Sequence, residues 1–273
     1  MNRLFVAYKP SGIGSNKYLY TLKQKYKNKK AGFAGTLDPF AKGVLLVGFG
    51  SYTKLFRFLN KAPKKYKATL WLGAKSDTLD TEMIEEVALL QVLHVKEVED
   101  ALESLVGELE YEPPIFSAKR INGHRAYDLA RAGKEVVLNK INSTVYDMKL
   151  IHYTHPFVTF EATVSEGTYI RSLGQMIARK LGVEYGSLSM LERLSEGQFV
   201  YEDEKALNIK ESLNIAQNYY LGESDNVKYG RVLALKDLKL QENGTYWLDN
   251  GESISIITVE DGKVKYELGR IEC

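Results

Sequence analysis

The sequence predicts an α+β fold, a larger unit over residues 1–222 followed by a small β-rich unit over 229–273. Three observations predict it. Apolar runs such as 44–49 and 254–259 are strand-sized and lack polar alternation, as in strands buried on both faces. Between the early runs lie segments with apolar residues at helical spacing, 16–27, 95–106 and 169–181. After Tyr229 the texture changes to short β-like runs split by Asn243-Gly244, Asn250-Gly251 and Asp261-Gly262, dipeptides that favour tight hairpins.

Taken in order, residues 4–8 read as a strand. The turn Lys9-Pro10-Ser11-Gly12-Ile13-Gly14 stops it, because Pro and Gly do not extend a ladder. Ser15 or Asn16 is placed to cap a helix to about Lys27, with Tyr18, Leu19, Leu22 and Tyr26 on one face. A loop over 35–39 leads into the buried strand 44–49. Ser51 is placed to cap a short helix over 53–59, and 66–72 alternates as a strand does. Residues 72–81 read as a polar loop. Pro113-Pro114 ends any preceding helix. A helix over 125–132 closes at Gly133, two or three strands occupy 135–165, and a helix over 169–181 closes at Gly182. Residues 202–220 read as helical and 221–229 as a boundary.

Composition excludes several classes. The chain has 273 residues, 44% hydrophobic and 26% charged, values of an ordinary globular protein and not of a disordered one. Cys273 is the single cysteine, so neither an internal disulfide nor a cysteine-based zinc site can form. The apolar run at 4–8 is too short for a signal peptide, and none approaches the ~18 residues that span a bilayer. A cytoplasmic protein with no membrane association is the expectation.

Net charge is only +2, but its distribution is uneven. Lys17, Lys23, Lys25, Lys27, Lys29 and Lys30 occur without an intervening acid, as do Lys54, Arg57, Lys61, Lys64, Lys65, Lys67 and Lys75. The first quarter is therefore either a set of solvated faces or a surface that attracts phosphates. Of four histidines only His152 and His155 are close, with no carboxylate motif to complete a metal site. Gly12-Ile13-Gly14 lacks the Lys-Ser/Thr of a nucleotide loop and the third Gly of a dinucleotide fingerprint. The informative stretch is Gly35-Thr36-Leu37-Asp38-Pro39-Phe40-Ala41-Lys42-Gly43-Val44. It mounts one acid, Asp38, between a glycine-flanked loop and a buried strand, and the following Pro holds that acid extended. Such an acid is either a turn residue bonding its own backbone or a reacting carboxylate.

Other blocks join it in order: Lys65-Tyr66-Lys67-Ala68, Leu72-Gly73, Ser76-Asp77-Thr78-Leu79-Asp80, and Pro113-Pro114-Ile115-Phe116-Ser117-Ala118-Lys119-Arg120. Then come Gly123, Arg125-Ala126-Tyr127-Asp128-Leu129-Ala130-Arg131 and Gly167-Thr168-Tyr169-Ile170-Arg171-Ser172-Leu173. Over roughly residues 3–195 this set resembles the bacterial tRNA pseudouridine synthase B family. The resemblance implies a mixed, mainly antiparallel sheet with flanking helices, Asp38 in a central cleft, and a C-terminal RNA-binding unit of the PUA type. It implies isomerisation of the T-loop uridine of tRNA, position 55 in tRNA numbering, to pseudouridine, with no cofactor and no metal. It assigns catalysis to Asp38, Tyr66 and Arg171. The base must leave its stack to react.

The physics of these roles is independent of the resemblance. Arg171 at hydrogen-bonding distance would keep Asp38 charged and aimed, or be a structural ion pair. Tyr66 could stack on an extruded base, or be core. Lys9, Lys17, Phe33, Lys42, Lys119 and Arg125 are the candidates for RNA contacts, with tRNA (T arm and elbow) the partner and a monomer expected. The chain also departs from the family. Phe33 stands where most members carry a His, so a hydrogen-bonding or titrating group is replaced by one that can only stack or fill. Ser76 replaces the usual Thr, and Met83 stands where a Gly is common. Two other classes remain: a module that holds tRNA without turning it over, which needs the cationic surface but not Asp38, and a synthase for another RNA, which predicts extra segments for partners.

Overall fold

The computed structural model describes residues 2–117, 119–121, 123–134 and 136–273. Strand β1 (Arg3–Lys9) runs antiparallel to β3 (Lys42–Phe49), with Val6 opposite Leu46. Helix α1 (Ser15–Lys25) and the short strand β2 (Ala31–Ala34) connect them, and β2 also pairs with β3. The unbroken apolar run of β3 follows from burial on both faces. Leu45, Val47 and Phe49 pack with Phe5, Ala7 and the α1 residues Leu19 and Leu22. Val44 and Leu46 face the opposite cluster with Leu4, Val6, Tyr52 and Leu55.

The chain then supplies β4 (Lys64–Leu72), β5 (Ala74–Ser76), β6 (Ile84–Val87), α2 (Val95–Glu103) and β7 (Gly107–Tyr111). A two-residue ladder, β8 (Arg120–Ile121) with β9 (His124–Arg125), precedes α3 (Ala126–Arg131). Next come β10 (Ile141–Thr154), β11 (Phe157–Val164), α4 (Ile170–Lys180) and β12 (Gly186–Glu196). The main sheet has the order β1-β3-β12-β4-β11-β10-β7, with β2 on β3. Its ladders are antiparallel except β12 with β3, which is parallel at Glu192–Lys42 and Arg193–Gly43. The mixed, mainly antiparallel sheet is therefore as expected. Along β4, Tyr66, Ala68, Leu70 and Leu72 alternate inward and join the cluster that buries α2 (Val98, Leu102) and α4 (Ile170, Leu173, Ile177).

After α5 (Ile209–Ser212), a second sheet forms from β13 (Ala216–Gln217), β14 (Gly244–Asp249), β15 (Ser253–Glu260) and β16 (Lys263–Glu272), with α6 (Ser224–Lys228) between its first two strands. Two of the three dipeptides, Asn250-Gly251 and Asp261-Gly262, make its hairpins; Asn243-Gly244 only opens β14. Trp247, Ile254, Ile256 and Ile271 pack on the β1–β3 cluster, and Tyr246, Leu248, Ile257 and Val259 pack on Val227 and Leu238. No helix among the described residues is long and apolar enough to cross a membrane.

Several expectations are corrected. Residues 202–220 are not a helix; only Ile209–Ser212 is helical. Asp203 and Glu204 have positive φ, and the segment is captured by the open edge of β1 through Leu207 N to Leu4 O at 2.8 Å. Asn214 N then bonds Phe58 O at 2.7 Å. Gly14, not Ser15 or Asn16, is the N-cap of α1, without a side-chain cap. The helix expected at 53–59 is two 3₁₀ turns, Gly50–Lys54 and Phe56–Phe58. The polar loop at 72–81 contains β5, paired with β6.

Candidate active site

The loop between β2 and β3 carries Asp38 and is stitched at each end. Gly35 has φ +64, and a Cβ there would lie 2.7 Å from Glu196 Oε1 and 2.9 Å from Arg193 Nη1, so only glycine fits. A Cβ on Gly43 would lie 2.3 Å from the Arg193 carbonyl oxygen. Arg193 donates from Nε to Val44 O and from Nη2 to Gly35 O, both at 2.8 Å, bridging the two stems. In the middle, Ser15 Oγ accepts from Leu37 N and donates to Leu37 O, each at 2.9 Å. Gly12 N donates to Pro39 O at 2.8 Å. Leu37 is buried in the main core, so the adjacent Asp38 is turned toward the cleft.

Arg171, the second residue of α4, is 4% exposed and meets the carboxylate there, Nε to Asp38 Oδ2 at 2.9 Å. Its Nη1 donates to Thr78 O at 2.7 Å and its Nη2 to Phe116 O at 2.9 Å, so the guanidinium plane is set by three elements. Asp80 stands 3.9 Å from Nη1. The Asp80 Oδ1 accepts from Thr78 Oγ1 at 2.6 Å and from Glu82 N at 2.9 Å, which fixes the β5–β6 turn under the guanidinium. Burial pushes the Asp38 carboxyl above the ordinary aspartate value; Arg171 opposes this, Asp80 adds to it, and Lys9 opposes it more weakly. When ionised, such a carboxylate is a stronger base and nucleophile than an ordinary one.

Asp38 and Arg171 divide the cleft into two lobes of about 280 and 270 Å³. Each is near the ~300 Å³ floor of small-molecule pockets, so each has room for one ring-sized group. Arg125, Tyr127, Arg131 and the buried Ser117 line the first. Tyr66, Lys64, Glu166, Thr168 and Tyr169 line the second. Thus the fold brings together Asp38, Arg171, Tyr66 and Arg125 from four separate sequence blocks.

The other expected residues lie elsewhere. Lys9 is corrected: it is 0% exposed, with Nζ donating to Ile13 O at 2.6 Å, Pro10 O at 2.9 Å and Pro39 O at 3.4 Å. It braces the Asp38 loop from behind and cannot be a surface RNA contact. Lys17 is exposed on α1. Lys42 pairs with Glu192 at 3.4 Å. Lys119 donates to Asn139 O at 3.3 Å. Phe33 packs half-buried on the α1–β3 cluster, opposite Val47, and is not part of either lobe. His152 and His155 bond Thr154 and Tyr153 respectively, as structural histidines do. Among the described residues no cluster of His, Cys, Asp and Glu is suited to a metal ion.

Sequence reasoning assigned no role to Asp80, Arg193 or Glu196, and read Lys64 only as part of a cationic run. Asp80 belongs to a quoted block, but nothing local to it announces Arg171, 91 positions along the chain. Arg193, Glu196 and Lys64 form a buried ionic cluster under Gly35, with Glu196 3.4 Å from Arg193 and 3.3 Å from Lys64.

The whole fold is shared with solved structures. A chain of the crystal structure of a Cbf5–Nop10–Gar1 complex superposes with TM-score 0.68 over 99% of this chain and 84% of that one, at 18% identity. A chain of an H/ACA RNP bound to a substrate RNA containing 2′-deoxyuridine gives TM-score 0.67 over 99% and 85%, at 17% identity. At such identities the likeness is one of architecture. The class follows from the sequence. Residues 23–170 match the model of the TruB family pseudouridylate synthase, N-terminal domain. The chain is 71% identical to the tRNA pseudouridine synthase B of Sulfurimonas denitrificans over 273 residues, all of both proteins. It is 48% identical to that of Campylobacter jejuni over 272 residues, 100% of this chain and 99% of the relative. The fold and the sequence are thus those of a pseudouridylate synthase. Within that class the chain belongs to the TruB family.

Proposed function

We propose that this chain isomerises the T-loop uridine of tRNA to pseudouridine in the cytoplasm, acting as a monomer, with Asp38 as the reacting carboxylate. The observation that carries this is the 2.9 Å contact that aims Asp38 from the buried Arg171 into a lobe walled by Tyr66. The reaction breaks the bond from N1 of the base to C1′ and makes one from C5 to C1′, with the C5 proton leaving to solvent and a proton taken up at N1. Nothing is oxidised or reduced. One carboxylate can serve by adding to C6, by displacing at C1′ or by taking a sugar proton. Each route needs it ionised and held still, and those are the properties that Arg171 and the stitched loop supply.

Tyr66 is the stacking surface for the extruded base, and its hydroxyl faces the reacting ring. Arg125 and Arg131 at the first lobe, and Lys17, Lys42 and Lys119 beyond it, follow the RNA backbone. Phe33, half-buried beside α1, supports β2 and leaves any contact made by the family His to another group. The second sheet is the PUA-like unit that holds the tRNA arm.

The test is tritium release from tRNA labelled at uridine C5, for wild type and Asp38→Asn. Wild type is expected to release one equivalent from the T loop and the variant none, with tRNA binding retained. A variant that keeps a tenth of the activity would remove Asp38 from the chemistry. Tight binding without release by wild type would instead identify a module that only holds tRNA.

A further inference from the structure

The carboxylate chemistry leaves unused a group of cations at the rim of the second lobe. Lys61 precedes β4 and Lys64 begins it. Both ammonium groups converge on one oxygen, Glu166 Oε1, at 3.5 and 3.6 Å. The lysine side chains are 18% and 8% exposed, but Glu166 is 54% exposed. Two sunken cations are therefore held by a carboxylate that lies in solvent, at distances beyond the ~2.8 Å of a tight charge-assisted bond. Lys64 also approaches Glu196, but Glu196 is shared with Arg193. In this cluster of Lys61, Lys64, Arg193, Glu166 and Glu196, three cations face two carboxylates. The cluster touches the reaction site: a Cβ on Gly35 would lie 3.2 Å from Lys64 Nζ, and Tyr66 and Thr168 line the same lobe.

We propose that Lys61 and Lys64 form a binding site for a backbone phosphate of the substrate RNA, and that Glu166 occupies it in the free enzyme as a stand-in anion that the phosphate displaces. The inference rests on reading the second lobe as the seat of the target uridine. A nucleotide whose base lies against Tyr66 must carry its phosphate out past the rim, where the two lysines stand. A phosphodiester has two non-bridging oxygens and can engage both ammonium groups. Glu166 precedes Gly167 in the loop before α4, so its carboxylate can swing into water without disturbing Arg171. Displacing it offsets part of what the phosphate contact contributes, so Glu166 competes with the RNA for the two lysines.

The test is binding of an unmodified tRNA transcript to the full chain from about 50 to about 200 mM salt. Lys61→Ala is expected to weaken binding about tenfold and to lower the salt slope by about one. Glu166→Gln is expected to tighten binding at low salt about threefold, a gain that shrinks when Lys61→Ala is also present. A transcript with a neutral methylphosphonate beside the target uridine should reproduce the loss of Lys61→Ala and add nothing to it. An unchanged salt slope for Lys61→Ala, or a Glu166→Gln protein that binds no tighter, overturns the phosphate site. Tritium release by wild type is measured in parallel. Release with unmoved variants removes only the phosphate site, whereas no release removes the reading of the lobe on which it rests.

Discussion

Two buried arginines flank the Asp38 loop, and they are held in opposite ways. Arg171 opens on the cleft, and each of its hydrogen bonds lands on a well-placed oxygen: Asp38 Oδ2, Thr78 O and Phe116 O. Arg193, 1% exposed, lies under the loop and meets only the wall of the second lobe. It binds Val44 O and Gly35 O, while its counter-ion Glu196, 0% exposed, has neither oxygen in a hydrogen bond. The first arrangement aims a carboxylate that substrate can still reach. The second carries the cost of burying charge with unfilled acceptors, and what it secures is the position of two backbone stems. The same residue type thus orients an accessible carboxylate on one side of the loop and holds backbone on the other.

Substitutions that keep charge but remove shape should separate the two sides. The largest expected effect is at Arg171→Lys. One ammonium group cannot reach Asp38, Thr78 O and Phe116 O together, so kcat should fall about hundredfold while KM moves little. Single-turnover tritium release measures it, and an undiminished rate would leave Asp38 aimed by something else. Next is Glu196→Gln, which leaves Arg193 buried without a counter-charge and Lys64 with the exposed Glu166 alone. It should cost about 3 kcal/mol of stability, seen as a lower denaturant midpoint, with kcat at saturating tRNA kept within about twofold. A loss of kcat as large as that of Arg171→Lys would erase the distinction between the two sides.

The open side was largely legible in the sequence and the sealed side was not. The Asp38 loop announces itself through Gly35, Asp38-Pro39 and the buried run behind it, and the helix carrying Arg171 shows a clean apolar face between Tyr169 and Gly182. Strand β12, which carries Arg193 and Glu196, shows no period of two. Its register shifts between Leu188 and Met190 and again between Arg193 and Ser195, and each bulge moves the pattern to the other face. Nothing local marks Arg193 or Glu196 for burial, yet both are buried, and Arg193 bonds a loop that lies about 150 residues earlier. The failed helix over 202–220 has a related cause. Local periodicity does not reveal that an edge strand 200 residues away offers free backbone groups. Lys9 failed because the end of a strand can turn a long side chain either way, and only the packed loop shows that three carbonyls wait inside.

Lys9 lies between the two sides and supplies the smallest and sharpest test of how dry the loop's underside is. Burial, helped by the charge of Arg193 and opposed by that of Asp38, pushes its ammonium group down from 10.5 to about 8. Above about pH 8 the folded protein therefore holds one proton fewer at this site than the unfolded chain, which keeps it to about 10.5. Since the unfolded state binds more protons in that window, this site makes stability rise with pH from about 8 to 10.5 and has no slope below. Lys9→Met removes the carbonyl bonds at every pH and the titration with them. The gap in thermal midpoint between wild type and Lys9→Met should thus be level up to pH 8 and widen above it. Groups elsewhere that titrate in the same range cancel in the difference. A gap that stays level to pH 10 would mean that water reaches the amine, and that the loop is braced from the Arg193 side alone.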